Sequence, residues 1–448
     1  MKFEDIRKIY LNFIYNDYKI YEDNDKIYIE YDFEIENLTK FNPCVEILKK
    51  DFNFKRVDVD FVKNIVFNIG MIEAISYYKS TCSQKFIIKC GCLDEFQKKW
   101  YKKLYYLSLG EFRYINNINI DQDEFVDFVC EGNNLNIIND NESLDGIIIP
   151  VGGGKDSIVT LDLLKRYKDK TLCFCIGGKS VSLECIKKAG FEQNDVIEIN
   201  RSIDENLIDL NEKGFLNGHT PFSAIIAFYS YLVSYLLNKK YIVLSNEDSA
   251  NETNINGENI NHQYSKTIEF ENDFREYSEK YLKSGIEYFS ILRPITEFQI
   301  AMMFSELEEY HNIFKSCNVG SKKEPWYWCN NCSKCLFVYI ILSSFLYKEE
   351  LTNIFKEDLF EKKELLETFI DLCGYGTKKP FECVGTFEEV RCAVTKTIKN
   401  IDGELPFLLK YYKENFELFE DDILMYYNKN NNLPEEFDKI LKGKILKC

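Results

Sequence analysis

From residue 145 onward, apolar positions fall in short solid runs that alternate with stretches of helical period. The runs at 146–151, 171–176, 196–200, 241–245 and 289–292 are rich in β-branched and aromatic residues and read as buried strands. Between them, 158–167, 181–189, 221–237 and 269–283 repeat apolar residues at helical spacing, and 297–307 does so after the last run. Strand and helix in alternation predict an α/β fold. Its core is a doubly wound, mostly parallel sheet that takes ligands at the carboxyl ends of its strands.

The residues before this point are patterned differently. KIYIEYDFE (26–34) alternates in the manner of a strand, 61–78 and 96–107 have helical period, and the Asn-rich 133–142 reads as a linker. From about 351 the chain is charged and mainly helical, with a loop at 373–383. Four parts are expected: an N-terminal α+β domain (1–140), an α/β domain (141–310), a Cys-rich segment (311–345) and a helical C-terminal region (346–448). No internal repeat is visible.

The first of the later strands runs into the most informative stretch of the chain, DGIIIPVGGGKDS (145–157). A strand, a glycine turn and a helix start together make an anion site, because backbone N–H groups can approach closely and the helix end adds partial positive charge. Gly152, Gly153, Gly154, Lys155, Asp156 and Ser157 are the candidates for holding phosphate. Lys155 brings a full positive charge, and Asp156 can hold a metal or orient a nucleophile. The Walker pattern fails twice, since Ile149 stands five before Gly154 and Asp156 follows the lysine. The dinucleotide pattern GxGxxG fails because Asp156 and Ser157 close the loop. GGGKDS resembles instead the pyrophosphatase loop (PP-loop) of the N-type ATP pyrophosphatases, usually SGGxDS, with Gly152 in place of the serine. That resemblance implies an adenine nucleotide alpha hydrolase-like fold and cleavage of ATP to AMP and pyrophosphate.

Charge and cysteine content narrow the picture. Lys and Arg number 56 against 73 Asp and Glu, a net charge of −17, which excludes an extended nucleic-acid surface. The opening MKFEDIRKIYLNF carries acidic residues and no small-residue cleavage site, so no signal peptide is expected. The apolar stretch 221–237 contains Ser223, Ser230 and Ser234 and lies between strands, and 336–347 is too short to span a bilayer. The first reads as a buried helix, and a cytoplasmic chain without membrane contacts is expected. Sixteen cysteines then point to reduced thiols or metal rather than disulfides. Cys173 and Cys175 read as small buried hydrophobes. Cys329, Cys332 and Cys335 are spaced CxxCxxC in WYWCNNCSKC, with Cys317 twelve residues before the first. Four thiolates at such spacing suit Zn²⁺ in a closed structural knuckle, and a [4Fe–4S] cluster uses similar ligands.

Only three histidines occur: His219, His262 and His311. His219 lies in NGHTP, a loop entering the helix that Pro221 opens, and His262 lies in the polar NHQYSK. With the thiol of Cys383 in KPFECVG, these are the candidates for moving a proton near neutral pH. A loop histidine also serves purely structural ends, so the roles stay open.

GGGKDS, PITEFQIAMMF (294–304) and the SC…CxxCxxC pattern resemble the queuosine-pathway deazaguanine synthases over roughly residues 145–340. This implies an adenylating ligase or amidating enzyme with structural zinc. A second resemblance spans nearly the whole chain. NIGMIEAISYYKST (68–81), LGEFRYINNI (109–118), PVGGGKDS, NGHTPFSAI (217–225), SNEDSANE (245–252), NHQYSKTIEFE (261–271), WCNNCSKC and KPFECVGTFEEV (379–390) occur in this order. They are similar to the UDP-MurNAc-L-alanyl-L-glutamate epimerase (MurL) family.

That resemblance implies an isomerase of peptidoglycan precursor synthesis. It would invert the terminal L-Glu of a UDP-linked muropeptide to D-Glu, using ATP and Mg²⁺ and releasing AMP and pyrophosphate. Transfer of AMP to the terminal α-carboxylate would remove the negative charge that opposes loss of the α-proton, and two acid/base groups on opposite faces would complete the inversion. On this reading Lys155, Asp156, His219, His262 and Cys383 are catalytic. Asn246, Glu247, Asn251, Glu252, Lys266 and Arg293 contact substrate. Asp156 holds Mg²⁺, and Cys317, Cys329, Cys332 and Cys335 hold Zn²⁺. Asp248 in SNEDSANE stands where the family leads one to expect a basic residue.

Overall fold

One sheet carries the chain from its N-terminal region into the glycine-loop region. The computed structural model describes residues 2–139, 143–252, 261, 263–376, 379–421 and 423–446. The strands are β1 (Asn12–Glu22), β2 (Lys26–Ile35), β3 (Thr39–Phe41), β4 (Cys44–Leu48), β5 (Lys85–Ile88), β6 (Asp127–Cys130), β7 (Ile147–Pro150), β8 (Thr171–Ile176), β9 (Val196–Arg201), β10 (Tyr241–Leu244) and β11 (Glu287–Ser290). They lie in the order β11-β10-β7-β8-β9-β4-β2-β1-β5-β6, with β3 on β2. Pairing is parallel except at β1–β2, β2–β3, β2–β4 and β4–β9.

The five later strands form the expected parallel, doubly wound unit. Counted from β7 their order is third, second, first, fourth, fifth, so the chain reverses its direction of travel between β7 and β10. A crevice opens at such a reversal because the connections on either side leave in opposite directions. The antiparallel β4–β9 pair, with Val45 opposite Arg201 and Ile47 opposite Ile199, joins this unit to the N-terminal strands. Sequence patterning does not anticipate that join.

The solid apolar runs are explained by burial on both faces of the sheet. On β7, Ile148 enters the core shared with the N-terminal region, while Ile147 and Ile149 enter the core shared with the C-terminal region. Each such side chain contributes roughly 1.5–3 kcal/mol. Helices Asp60–Glu73, Phe222–Leu236 and Ile268–Tyr277 supply the first core, and Lys155–Leu164, Glu297–Ser305, Ser333–Ser343 and Phe387–Asn400 supply the second.

Element boundaries differ from expectation by a few residues. The helical pattern at 61–78 divides into Asp60–Glu73 and Ile75–Tyr78, and the strand expected at 289–292 is β11, beginning at Glu287. The apolar stretches at 221–237 and 336–347 fall on the buried helices Phe222–Leu236 and Ser333–Ser343. Cys173 and Cys175 are buried on β8. Among the described residues no helix is long and apolar enough to cross a membrane.

Candidate active site

β7 ends at Pro150 and the helix Lys155–Leu164 begins five residues later, so the glycines have to turn the chain tightly. Gly153 has φ +82°, and a Cβ there would lie 2.8 Å from Val181 Cγ1, so no other residue fits without strain. A Cβ on Gly154 would meet Ser316 Oγ at 2.8 Å, which marks a close approach by the Cys-rich segment. Gly152 faces open space, with nothing within 4 Å of a Cβ. The Ser157 hydroxyl donates to the Gly154 carbonyl at 2.9 Å and closes the loop on the helix start.

This loop forms one wall of a cavity of about 300 Å³ at the β7/β10 reversal. Gly152, Gly154, Asp156 and Ser157 line it from the loop, and Ser245, Asn246 and Glu247 line it from the end of β10. Lys266 comes from the loop before the helix Ile268–Tyr277, Glu297 from the start of the helix Glu297–Ser305, Ser316, Cys317, Asn318 and Lys334 from the Cys-rich segment, and Cys383 from the C-terminal region. Nine of the residues expected from sequence therefore meet at one place: Gly152, Gly154, Asp156, Ser157, Asn246, Glu247, Lys266, Cys317 and Cys383. Gly153 lies against Val181, behind the wall.

Lys155 has a different position from the one its charge suggests. It is 1% exposed, is absent from the cavity wall, and its ammonium is ion-paired to both the Asp156 and Glu297 carboxylates. Burial opposes that ammonium, but the two carboxylates hold its pKa above the ordinary lysine value. Burial, and then the Asp156 charge, push the Glu297 carboxyl up to about 7. Glu297 is held in turn by the C-terminal region, since its backbone N–H donates to Glu389 Oε1 at 2.7 Å. One carboxylate oxygen each from Asp156, Glu247 and Glu297 lies within 4.8 Å of the others. Such an all-oxygen, acidic donor set fits a hard divalent cation such as Mg²⁺.

Arg293 is fully buried beneath the cavity. Its guanidinium donates to the carbonyls of Glu247 and Lys266 and pairs with Glu271 at 3.2 Å, so it pins the two loops together from below. Lys266 Nζ donates to Cys383 Sγ at 3.2 Å. Burial opposes the Lys266 charge, while the Cys383 sulfur and the Glu247 carboxylate outweigh it and raise its pKa.

His219 stands apart from the cavity wall, with Nδ1 3.8 Å from Glu111 Oε2. Burial, then the nearby Cys383 sulfur, push the Glu111 carboxyl up to about 7. Lys79 donates to the Gly218 carbonyl and, at 2.7 Å, to Thr220 Oγ1, clamping the histidine loop. Burial pushes the Lys79 ammonium down to about 8.

Besides Arg293, two more expected substrate residues lie outside the cavity. Asn251 donates to the Asp248 carbonyl at 2.9 Å and accepts from the Ile268 N–H at 2.9 Å, and Glu252 is paired with Lys379. Asp248 itself accepts from Tyr426 and Asn428, each at 2.6 Å. His262 lies outside the described residues. Sequence reasoning passed over Glu297, Lys334, Glu111 and Lys79, although each sits inside a stretch quoted above for its distinctiveness.

Cys317, Cys329, Cys332 and Cys335 converge. The Cys317–Cys332, Cys329–Cys335 and Cys332–Cys335 sulfurs are 4.0, 3.8 and 3.5 Å apart. A Zn–S bond of about 2.3 Å gives a tetrahedral edge of about 3.8 Å, so the four sulfurs fit one tetrahedral ion. A cubane cluster places each thiolate on a different iron and asks for wider separation. The Gly320 N–H donates to Cys317 Sγ at 3.0 Å, and the Cys329 N–H does so at 3.4 Å, as suits a sulfur carrying negative charge.

Fold and site together define a doubly wound α/β protein in which a glycine loop, a carboxylate trio and the segment that carries a four-cysteine group line one cavity. The chain belongs to the MurL family: the MurL N-terminal domain matches residues 5–291 and the MurL C-terminal domain matches residues 313–417. It is 30% identical over 333 residues to a UDP-N-acetyl-alpha-D-muramoyl-L-alanyl-L-glutamate epimerase of Xanthomonas oryzae pv. oryzae, covering 73% of this chain and 72% of that protein. A protein of the same name from Micromonospora sp. is 31% identical, covering 72% of each chain. One from Salinispora tropica is 38% identical over 53% of this chain and 52% of its own. No solved structure matches the chain.

Proposed function

We propose that this protein is an epimerase of peptidoglycan precursor synthesis, inverting the terminal L-Glu of UDP-MurNAc-L-Ala-L-Glu to D-Glu with ATP as co-substrate in a PP-loop site. The names of its relatives support the substrate. The observation that carries the chemistry is the meeting, in one cavity, of the glycine loop, the carboxylate trio and the Cys383–Lys266 pair.

An α-proton beside a carboxylate is hard to remove because the product anion adds charge to a group already charged. Bound ATP supplies the AMP group that cancels that charge, with pyrophosphate leaving. The Gly152–Gly154 amides and the helix start at Lys155 would hold the phosphates, and Ser157 fixes the loop for them. Asp156, Glu247 and Glu297 would hold Mg²⁺. Cys383 then faces the activated glutamyl group as one proton-transfer residue, with Lys266 steadying its sulfur. His219, oriented by Glu111 and by the loop that Lys79 clamps, is the second. Arg293 keeps the Glu247 and Lys266 loops in register without touching substrate. Zn²⁺ in the four-cysteine group would fix the wall that carries Ser316, Asn318 and Lys334.

Incubation with ATP, Mg²⁺ and UDP-MurNAc-L-Ala-L-Glu tests the reading, with pyrophosphate measured and glutamate resolved by chiral analysis. Pyrophosphate release coupled to D-Glu is the expected result. Release without inversion would redirect the assignment to another adenylating enzyme, and no release would remove it.

A further inference from the structure

A nucleotide bound through its phosphates brings several negative charges into the cavity, and the amides of one loop do not match them alone. Lys155 is the cation that the sequence offers, but its charge is already committed to Asp156 and Glu297 behind the wall. Three other lysines line the cavity: Lys266, which is tied to Cys383 and Glu247; Lys315, whose ammonium donates to the Asn312 and Phe314 carbonyls; and Lys334. Lys334 lies between Cys332 and Cys335 as the second residue of the helix Ser333–Ser343, is 7% exposed, and lines the cavity. Among the described residues its ammonium makes one hydrogen bond, to the Cys383 carbonyl, lies 5.2 Å from the centre of the Phe337 ring, and makes no ion pair. An ammonium has three protons to donate, and a buried lysine with no carboxylate in direct contact is costly unless an anion joins it. The Asp156, Glu297 and Glu382 carboxyls feel its charge from further off.

The approach is tight from the other end of the segment as well. Ser316 Oγ crowds Gly154, and the Lys315 N–H donates to the Gly153 carbonyl at 3.2 Å. The four-cysteine segment thus grips the glycine loop at one end and presents Lys334 to the same cavity at the other.

We propose that Lys334 is a phosphate-facing cation of this site, that the four-cysteine segment delivers it, and that Lys155 is an internal counter-ion. This rests on the nucleotide reading above. The ligand class is a polyphosphate: the triphosphate of the nucleotide or the pyrophosphate leaving group.

The test is calorimetric binding of ATP, pyrophosphate and adenosine to the metal-loaded full chain, with bound metal per chain measured alongside. Wild type is compared with Lys334→Ala, Lys334→Arg and an exposed control on the same segment, Lys323→Ala. Loss of one charge-assisted contact should weaken ATP and pyrophosphate about tenfold to a hundredfold in Lys334→Ala, and leave adenosine unchanged. Metal content should be retained, Lys334→Arg should recover part of the affinity, and Lys323→Ala should bind as wild type. If Lys334→Ala loses its metal, Lys334→Gln, which keeps a polar side chain there, takes its place. Unchanged ATP affinity in a metal-retaining variant overturns this inference alone, as does an equal loss for adenosine. A wild-type protein that binds neither ATP nor pyrophosphate overturns both this inference and the nucleotide reading.

Discussion

Lys266 Nζ donates to Cys383 Sγ at 3.2 Å, although 117 residues separate them. The lysine stands on a loop pinned from below by Arg293, and the cysteine arrives on the C-terminal segment whose carbonyl at the same residue accepts from Lys334. Cys383 is therefore fixed at both its side chain and its backbone. The proposed proton-transfer role of Cys383 rests on this double hold within the cavity.

Replacing Cys383 by Ala should abolish inversion while sparing the earlier step. D-Glu formation and wash-in of deuterium at the glutamyl α-carbon from D₂O are expected to fall about 10²–10⁴-fold. Pyrophosphate release in the first turnover should stay within a few-fold of wild type. Equal loss of both would assign Cys383 to substrate binding and not to proton transfer.

Lys155→Met should act first on stability. Removing the ammonium leaves Glu297 buried and half-buried Asp156 beside it without their shared cation, a change that for a buried pair typically costs about 3–5 kcal/mol. Thermal denaturation should show a clear fall in Tm. Mg²⁺ should raise the Tm of the variant more than that of wild type, because the cation binds the carboxylates that the lysine has released. An unchanged Tm would contradict the counter-ion role.

Glu111 gives a pH signature with two parts of opposite sense. Its carboxyl is raised from 4.5 to about 7 in the folded protein, so between these values the native state binds more protons than the unfolded state. Its contribution to stability is therefore present below about pH 4.5 and declines as pH rises to about 7. Glu111→Gln removes that decline, so the Tm of the variant relative to wild type should be higher at pH 8 than at pH 5. Its kcat/KM should fall at every pH and lose the limb near pH 7. A variant that retains the wild-type pH profile would separate Glu111 from the proton-transfer path.

Removing the metal should disturb the cavity as well as the fold. One Zn²⁺ per chain is expected, and chelation or Cys332→Ser should lower Tm and weaken ATP binding together. Trp328, buried against Phe314 and Phe355, reports on the segment, and its emission should move to longer wavelength when the ion is lost. Full ATP affinity in the metal-free protein would disconnect the two sites.

Much of this was legible in the sequence because it is local. GGGKDS, the strand runs from β7 to β11 and the CxxCxxC spacing each occupy one short stretch, where backbone geometry follows directly from residue type. What escaped depends on partners far along the chain. The charge of Lys155 read as available because nothing near it shows that Glu297, 142 residues later, takes it up. Lys334 was hidden by its setting: among metal-ligating cysteines, a lysine reads as a solvated spacer. Glu111 is an ordinary helix-start acid until His219 and Cys383 are brought beside it. The β4–β9 pair left no trace for a similar reason, since two edge-capable strands give no local sign of which partner they will choose.

That pair also bears on how the protein is made. During synthesis β4 is complete long before β9 leaves the ribosome, and until then its outer edge offers a row of unpaired backbone groups to any passing strand. β7 and β8, made in the interval, wait for the same closing strand. The β4 edge thus stays open through the translation of about 150 residues, and for about the last 50 of these the chain carries two unfinished half-sheets, which is when a chaperone that shields strand edges would matter most.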